Sequence, residues 1–109
     1  MIFAFATDDR GLTAFRSEEE AVAYCEGVDV EDGVWLFWDD RGEPLAAQFT
    51  VPNERGTLTV LSGSYSLFPA SQGNQPHLAS SLSTVRSFES AYPFNSEEGV
   101  RGHLERKSD

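Results

Sequence analysis

The chain has few of the residues that would mark a particular compartment. It has one cysteine, Cys25, among 109 residues, which excludes an internal disulfide and is typical of a reducing compartment. No apolar run approaches the ~20 residues of a membrane span, and the N-terminus lacks the basic region of a signal peptide. We therefore predict a cytoplasmic protein with no membrane partner.

Positive charge is equally scarce. The chain contains 8 Lys and Arg against 18 Asp and Glu, which gives a formal net charge of -10. The basic residues are scattered, so the chain lacks the basic surface that binds nucleic acid. A field of this sign repels nucleic acid and attracts a basic partner. The charge therefore favours a function in binding another protein.

The sequence also lacks the motifs of common catalytic and metal sites. His77 and His103 have no Cys or His at metal-ligand spacing, and the acidic turn 39–43 lacks the alternating oxygen ligands of a calcium loop. There is no Gly-rich phosphate loop and no G-x-S-x-G nucleophile elbow. We predict no catalytic residue, metal ion or cofactor. A small hydrolase that uses paired carboxylates, or Cys25 with a histidine, is the less favoured alternative.

Aromatic residues, in contrast, are plentiful. They make up 12% of the chain, with 8 Phe, 3 Tyr and 2 Trp, and this content favours a folded core over disorder. A chain of this length forms one domain of ordinary size. We predict a single domain over residues 1–106, with a frayed C-terminus at 107–109.

Hydrophobic patterns predict a β-hairpin and then a helix at the start of the chain. Residues 2–7 and 12–15 are apolar and flank an acidic turn, which is typical of a hairpin. Ser17 and Glu20 have the spacing of a capping box, because each side chain can bond to a backbone N–H near the other residue. This spacing predicts a helix over 18–26.

The middle of the chain is predicted to form β-strands. Gly27 suits the left-handed cap of the first helix, and an acidic connector over 28–33 follows. The run 34–38 is apolar at every position, which predicts a central strand covered on both faces. The alternation over 45–51 predicts a half-buried strand beside it.

The remaining patterns complete the predicted fold. Residues 57–61 and 65–68 fit a tight hairpin better than one long strand with a glycine bulge. Apolar residues at helical spacing predict a helix over 77–90, although its many serines weaken it. A last short helix, capped by Asn95 or Ser96, follows. We predict an α+β fold in the order β-β-α-β-β-β-β-α-α, with about five or six mainly antiparallel strands packed against two or three helices.

The negative charge is confined to one half of the chain. Residues 8–54 hold 13 Asp and Glu against 3 Arg, whereas residues 55–109 hold five of each sign. Acids at 18–20 suit a helix start and those at 8–9 suit a turn. The acids of 29–43 bracket the most aromatic strand, so we predict a partner-binding surface there with an aromatic anchor. Its residues are Glu31, Asp32, Trp35, Asp39, Asp40 and Glu43. Two readings stay open: the acids could be ordinary turn residues, and Trp38 could be the exposed tryptophan in place of Trp35.

The block over residues 20–39, with its A-Y-C-E-G and W-L-F-W-D segments, resembles the immunity proteins of bacterial contact-dependent growth inhibition systems. The later pairs Phe49-Thr50 and His77-Leu78 and the segment 62–65 look similar too. The resemblance implies a cytoplasmic protein that binds and blocks the C-terminal domain of its cognate toxin. Many such toxins are nucleases with basic clefts, which an acidic inhibitor can occlude. No contact residue is transferred by the resemblance, and the oligomeric state stays open.

A general acidic adaptor, or a mimic of nucleic acid, is the alternative binding function. Carboxylates spaced along one face like phosphates would favour the mimic over a compact patch.

Overall fold

A five-stranded antiparallel sheet lies at the centre of the protein. The structure is a computed structural model that describes residues 1–70, 73 and 75–107. The strands run in the order β2-β1-β3-β4-β7, and two short strands, β5 and β6, form a separate pair. Their bounds are β1 Ile2–Ala6, β2 Leu12–Phe15, β3 Trp35–Trp38, β4 Pro44–Val51, β5 Glu54–Arg55, β6 Val60–Leu61 and β7 Ser64–Pro69.

Strand β3 is the central strand, as its uniformly apolar sequence predicts. Phe37 projects into one core, with Ile2, Phe15 and Tyr65. Trp38 projects into the other, with Phe3, Leu78 and Val100. Alternate residues of a strand face opposite sides of a sheet, so a strand with no polar position needs cover on both. The predicted α+β fold and the covered central strand are confirmed.

Helices cover both faces of the sheet. The first layer consists of α1 (Glu18–Tyr24) and α2 (Gly27–Glu31). The second consists of α3 (Leu78–Ser81), a 3-10 turn (Leu82–Thr84) and α4 (Glu97–Lys107). The predicted capping of α1 is present, because the backbone N–H of Glu20 donates to Ser17 Oγ at 3.2 Å. The Glu20 carboxylate in turn accepts from the backbone N–H of Arg16 at 3.3 Å.

The predicted acidic connector is wrong, because α2 occupies most of it. Helix α1 ends at Tyr24, and Cys25 has extended backbone angles. Gly27 therefore opens α2 instead of capping α1. It is buried, and a Cβ there would lie 2.6 Å from the side-chain oxygen of Asn53. The short helix packs Val30 against the core while Glu31 is exposed. Five residues are too few for a helical pattern to be recognised in the sequence.

The predicted hairpin over 57–61 and 65–68 is also wrong. Strand β6 pairs with β5, and β7 pairs with β4 along most of its length. The chain passes from β6 to β7 at Gly63, where it runs close to the end of β4. A Cβ on Gly63 would lie 1.9 Å from the carbonyl oxygen of Val51. The Asn53 side chain accepts from the Gly63 N–H at 2.7 Å and donates to the Gly27 carbonyl at 3.1 Å. These contacts separate β5 and β6 from the main sheet.

The predicted helix over 77–90 is shorter than expected and stops at Thr84. Beyond it the backbone bonds to the β2 side of the sheet: the Leu12 N–H donates to the Ser87 carbonyl at 2.9 Å, and the Arg86 N–H donates to the Arg10 carbonyl at 2.8 Å. A serine-rich segment has little helical preference of its own, so these bonds prevail over continued helix.

The last helix forms as predicted. Ser96 Oγ accepts from the Gly99 N–H at 3.0 Å, and Val100 and Leu104 are buried. The helix extends to Lys107. Residues 108 and 109 lie outside the described part of the chain.

Replacing Tyr65 with Phe should destabilise the fold. Tyr65 is only 5% exposed. Its hydroxyl donates to the Cys25 carbonyl at 2.6 Å and so joins β7 to the end of α1. Removing a buried partner of this kind costs about 1–3 kcal/mol. Urea unfolding measures the loss, with Tyr92→Phe as the control because Tyr92 is 71% exposed. Equal midpoints for the two variants would show that the bond contributes nothing.

Candidate protein-binding surface

The six predicted surface residues lie at the two opposite ends of β3. Glu31, Asp32 and Trp35 lie at its N-terminal end, and the other three, Asp39, Asp40 and Glu43, lie in the turn after it. Four residues of strand span roughly 10 Å or more. The structure therefore brings these residues together as two groups with different surroundings.

Asp39 stabilises the turn between β3 and β4. Its Oδ1 accepts from the backbone N–H of Arg41 at 2.8 Å and from that of Glu43 at 3.0 Å. Gly42 has a φ of 85°, which favours glycine because it has no Cβ. Asp39 is thus a turn residue, as the simpler reading of the sequence had it. The Glu43 side chain is exposed and forms no ion pair within the described residues.

His77 fixes the same turn from the opposite side. Its Nδ1 accepts from the Ala79 N–H at 3.0 Å, so its Nε2 carries the hydrogen and donates to the Arg41 carbonyl at 2.8 Å. A Cβ on Gly42 would lie 2.5 Å from the His77 ring. His77 therefore has a structural role that its isolated position in the sequence did not indicate.

Asp40 connects the turn to α4. Its Oδ1 lies 2.6 Å from His103 Nε2, and its Oδ2 lies 3.2 Å from Lys107 Nζ. Partial burial opposes ionisation of Asp40, but hydrogen bonds from His103 and Lys107 and the charges of the N-terminal ammonium and His103 outweigh it and lower its pKa. The carboxylate of Asp40 is already paired, which leaves it little capacity for an external cation.

The first helical layer is strongly acidic. Residues 17–33, which we call the acidic layer, contain seven Asp and Glu and no Lys or Arg. Only Asp29 among these acids is half-buried. The layer on the other side of the sheet, residues 77–107, contains four acids and four Lys and Arg. The charge asymmetry along the chain thus becomes an asymmetry across the sheet. The exposed acids of the layer are Glu18, Glu19, Glu20, Glu26, Glu31 and Asp32.

A cation from outside the acidic layer pairs with two of its carboxylates. Arg55, on β5, lies 2.9 Å from the Asp32 carboxylate and 3.3 Å from that of Glu31. All three side chains are about half exposed, so the pairs contribute little to stability in water. They do hold the β5–β6 pair beside α2.

An aromatic pair borders the acidic layer. Trp35 is half-buried, whereas Trp38 is 1% exposed and donates its indole N–H to the Pro76 carbonyl at 2.8 Å. Tyr24, which is 65% exposed, lies edge-on to Trp35 with ring centroids 6.0 Å apart. Trp35 is therefore the tryptophan that reaches the surface, and Tyr24 adds to it.

The sequence reasoning missed a second feature of this side of the protein. The β5–β6 pair presents exposed apolar residues, with Leu58 at 97%, Val60 at 55% and Leu61 at 59%. Apolar side chains grouped in this way are typical of contact surfaces. Leu58, Thr59 and Val60 alternate in character, which equally fits a strand with one buried face, so the sequence carries no signal of this exposure.

The thiol that a cysteine-dependent enzyme would need is buried. Cys25 is 0% exposed, and burial, followed by the nearby charge of Asp29, raises its pKa to about 12. The thiol therefore stays protonated, which makes it a poor nucleophile. Within residues 1–70, 73 and 75–107, no group of three or more His, Cys, Asp or Glu is placed to hold a metal ion. None of the described helices is long and apolar enough to cross a membrane.

Comparison with known proteins yields no matching family model, curated protein or solved structure.

Replacing Asp40 with Asn should lower the free energy of unfolding at neutral pH. It should also make that free energy less sensitive to acid. Because the pKa of Asp40 is lowered in the folded state, its ionised form stabilises the fold above the ordinary carboxyl pKa of about 3.9. That contribution is lost as the pH falls through the folded-state value. We expect a difference of about 1 kcal/mol at neutral pH.

Denaturant unfolding of both proteins from acid to neutral pH measures this difference. The gap between them should close as the pH falls through the lowered folded-state pKa of Asp40. Glu43→Gln, at an exposed carboxylate of the same turn, is the control. A gap that stays constant across the range would contradict the role of the ion pair.

Proposed function

We propose that this protein is an immunity protein, which binds the C-terminal domain of a cognate toxin and blocks it without catalysis. The observation that supports this best is the acidic layer, in which two short helices and the residues that cap them carry seven carboxylates with no basic residue among them. The resemblance of residues 20–39 to such proteins supports a toxin domain as the partner.

The charge favours a basic toxin, and a nuclease above all. A nuclease cleft must hold phosphates, so it concentrates positive charge. An acidic face of matching extent is attracted to that cleft and, once bound, excludes the substrate. Attraction over a distance accelerates association, and dissolved salt screens it.

The proposed contact surface is centred on the N-terminal end of β3. It keeps Glu31, Asp32 and Trp35 and adds Glu19, Glu26 and the exposed ring of Tyr24. Asp39 and Asp40, by contrast, are held by the turn and by α4. They and Glu43 lie at the far end of the strand and contribute at most to the rim.

Charge reversal in the acidic layer should slow association with the toxin domain. We expect Glu19→Lys with Glu26→Lys to lower the association rate constant at least tenfold at low salt, because steering depends on the local field. The effect should shrink as salt rises. Surface plasmon resonance with the cognate toxin domain, which the proposal expects in the reading frame immediately upstream, measures both rate constants.

The matched control is Glu89→Lys with Glu98→Lys in the opposite layer. It changes the net charge equally, and Glu98, like Glu19, lies in the first turn of its helix. Equal slowing by both pairs would mean that only net charge matters. Failure of the unaltered protein to bind that domain would count against the immunity function, and equal binding to unrelated basic proteins would indicate a general adaptor.

A further inference from the structure

The β5–β6 pair extends from the fold without burying its own apolar residues. Every residue over 54–62 is exposed, and none of them belongs to either core. Leu58, Val60 and Leu61 are apolar and more than half exposed. Removing such side chains from water is favourable, so this segment holds apolar surface that the fold itself does not use.

The position of the β5–β6 pair is nevertheless fixed beside α2. At the base of the pair, the Asn53 side chain donates to the carbonyl of Gly27, the first residue of α2. Further along β5, Arg55 lies 2.9 Å from the Asp32 carboxylate at the other end of α2. Two strands alone are marginally stable in water, so these bonds help to hold the pair in one place. An exposed segment that is already held in place loses less conformational entropy when it binds.

The β5–β6 pair has apolar side chains on both of its faces and at its tip. In its register, Arg55 lies opposite Val60 and Glu54 lies opposite Leu61. Residues opposite one another share a face, and successive residues of a strand point to opposite faces. Val60 therefore lies on the face that Arg55 directs towards α2, Leu61 lies on the other face, and Leu58 lies in the turn that joins the strands. A flat partner surface would cover only one of the two faces, so the shape of the pair fits a cavity.

The charge next to the β5–β6 pair restricts what can cover it. The charges of Glu54 and Arg55 cancel within the pair, whereas the acidic layer beside it carries seven carboxylates. Two copies of the chain that met through this segment would bring two acidic layers together. An anionic membrane surface would be repelled in the same way. A protein with a basic surface is attracted instead.

We propose that the β5–β6 pair inserts its tip into an apolar cavity of the toxin domain, and that basic residues around this cavity face the acidic layer. Protein interfaces commonly have an apolar centre and a polar rim. The acidic layer then governs mainly the rate of association, whereas Leu58 and Val60 govern mainly the rate of dissociation. The identity of the partner as the toxin domain rests on the proposed function.

Replacing Leu58 with Gln tests the insertion. The change adds no charge and removes apolar surface from a residue that is 97% exposed, so the fold should be unaffected. We expect the dissociation rate constant of the complex with the cognate toxin domain to rise about tenfold or more. The association rate constant should be unchanged, at low and at high salt. Val60→Thr, which keeps the shape of the side chain and suits a strand, should act in the same direction. Surface plasmon resonance measures both rate constants.

Phe68→Gln is the matched control. Phe68 is also an exposed apolar residue, at 48%, and the change again alters no charge. Its neighbour Leu67 faces the core beneath the acidic layer, so Phe68 points to the opposite side of the sheet. Both rate constants should stay the same in this variant. Equal acceleration of dissociation by Phe68→Gln and Leu58→Gln would overturn the proposal.

A dye at the tip tests whether the tip is buried in the complex. Cys25 is buried, so a Thr57→Cys variant carries a single accessible thiol for an environment-sensitive dye. Binding of the toxin domain should shift the emission to shorter wavelength and shield the dye from iodide. The same dye on a Ser83→Cys variant, at an exposed position of the opposite layer, should not change. A dye at position 57 that stays open to iodide in the complex would overturn the insertion.

The outcomes also separate this proposal from the proposed function. Failure of the unaltered protein to bind the toxin domain would refute the immunity function and the insertion with it. Binding that neither Leu58→Gln nor Val60→Thr weakens would refute the insertion alone. Self-association of the protein that Leu58→Gln abolishes, measured by sedimentation velocity, would assign the tip to a second copy and overturn the proposal.

Discussion

The structure depends on one strand that has no polar face. Trp35 and Phe37 project to one side of β3, and Leu36 and Trp38 project to the other. Burying four large apolar side chains is strongly favourable, on the order of 2 kcal/mol for each one fully buried. It is possible only if the chain supplies a cover for each side. The two cores and the two helical layers all follow from this requirement.

The helical layers on the two sides of the sheet differ in charge, and that difference gives the protein two electrostatically different faces. The first cover is short and its exposed positions are acidic, whereas the second balances its acids with Arg and Lys. The central sheet keeps the layers apart, so the basic residues of α4 are far from the acids of α1 and α2. Arg55 reaches the acidic layer from the β5–β6 pair. One face therefore attracts cations while the opposite face is close to neutral.

Local signals predicted most of the fold, and the failures have a common cause. Ser17 and Ser96 capped the helices that their spacing indicated, and the apolar run at 34–38 gave the central strand. What failed depended on contacts distant in sequence. Gly27 and Gly63 are small because Asn53 and Val51 pack against them, not because a turn requires a positive φ. The helix after His77 ended early because its continuation bonds to β2 and the turn before it.

The candidate surface could be predicted only in part, for a similar reason. The sequence located the excess of acidic residues. It did not reveal which carboxylates would form hydrogen bonds and ion pairs within the fold. Asp40 pairs with residues 63 and 67 positions later in the chain, and no local pattern anticipates that. The acids of α1, in contrast, had a sufficient local explanation as helix-start residues, and so their contribution to the surface was overlooked.

The base of the β5–β6 pair has a consequence for how such a protein can diversify. Asn53 bonds both to Gly63, across the base, and to Gly27, in the layer beneath. The residues between them, with Leu58 at the tip, are exposed and make little contact with either core. Insertions, deletions and substitutions at the tip therefore leave the folding unit unchanged as long as the base is kept. Sequence changes in the β5–β6 pair can therefore alter binding specificity while the rest of the fold stays the same.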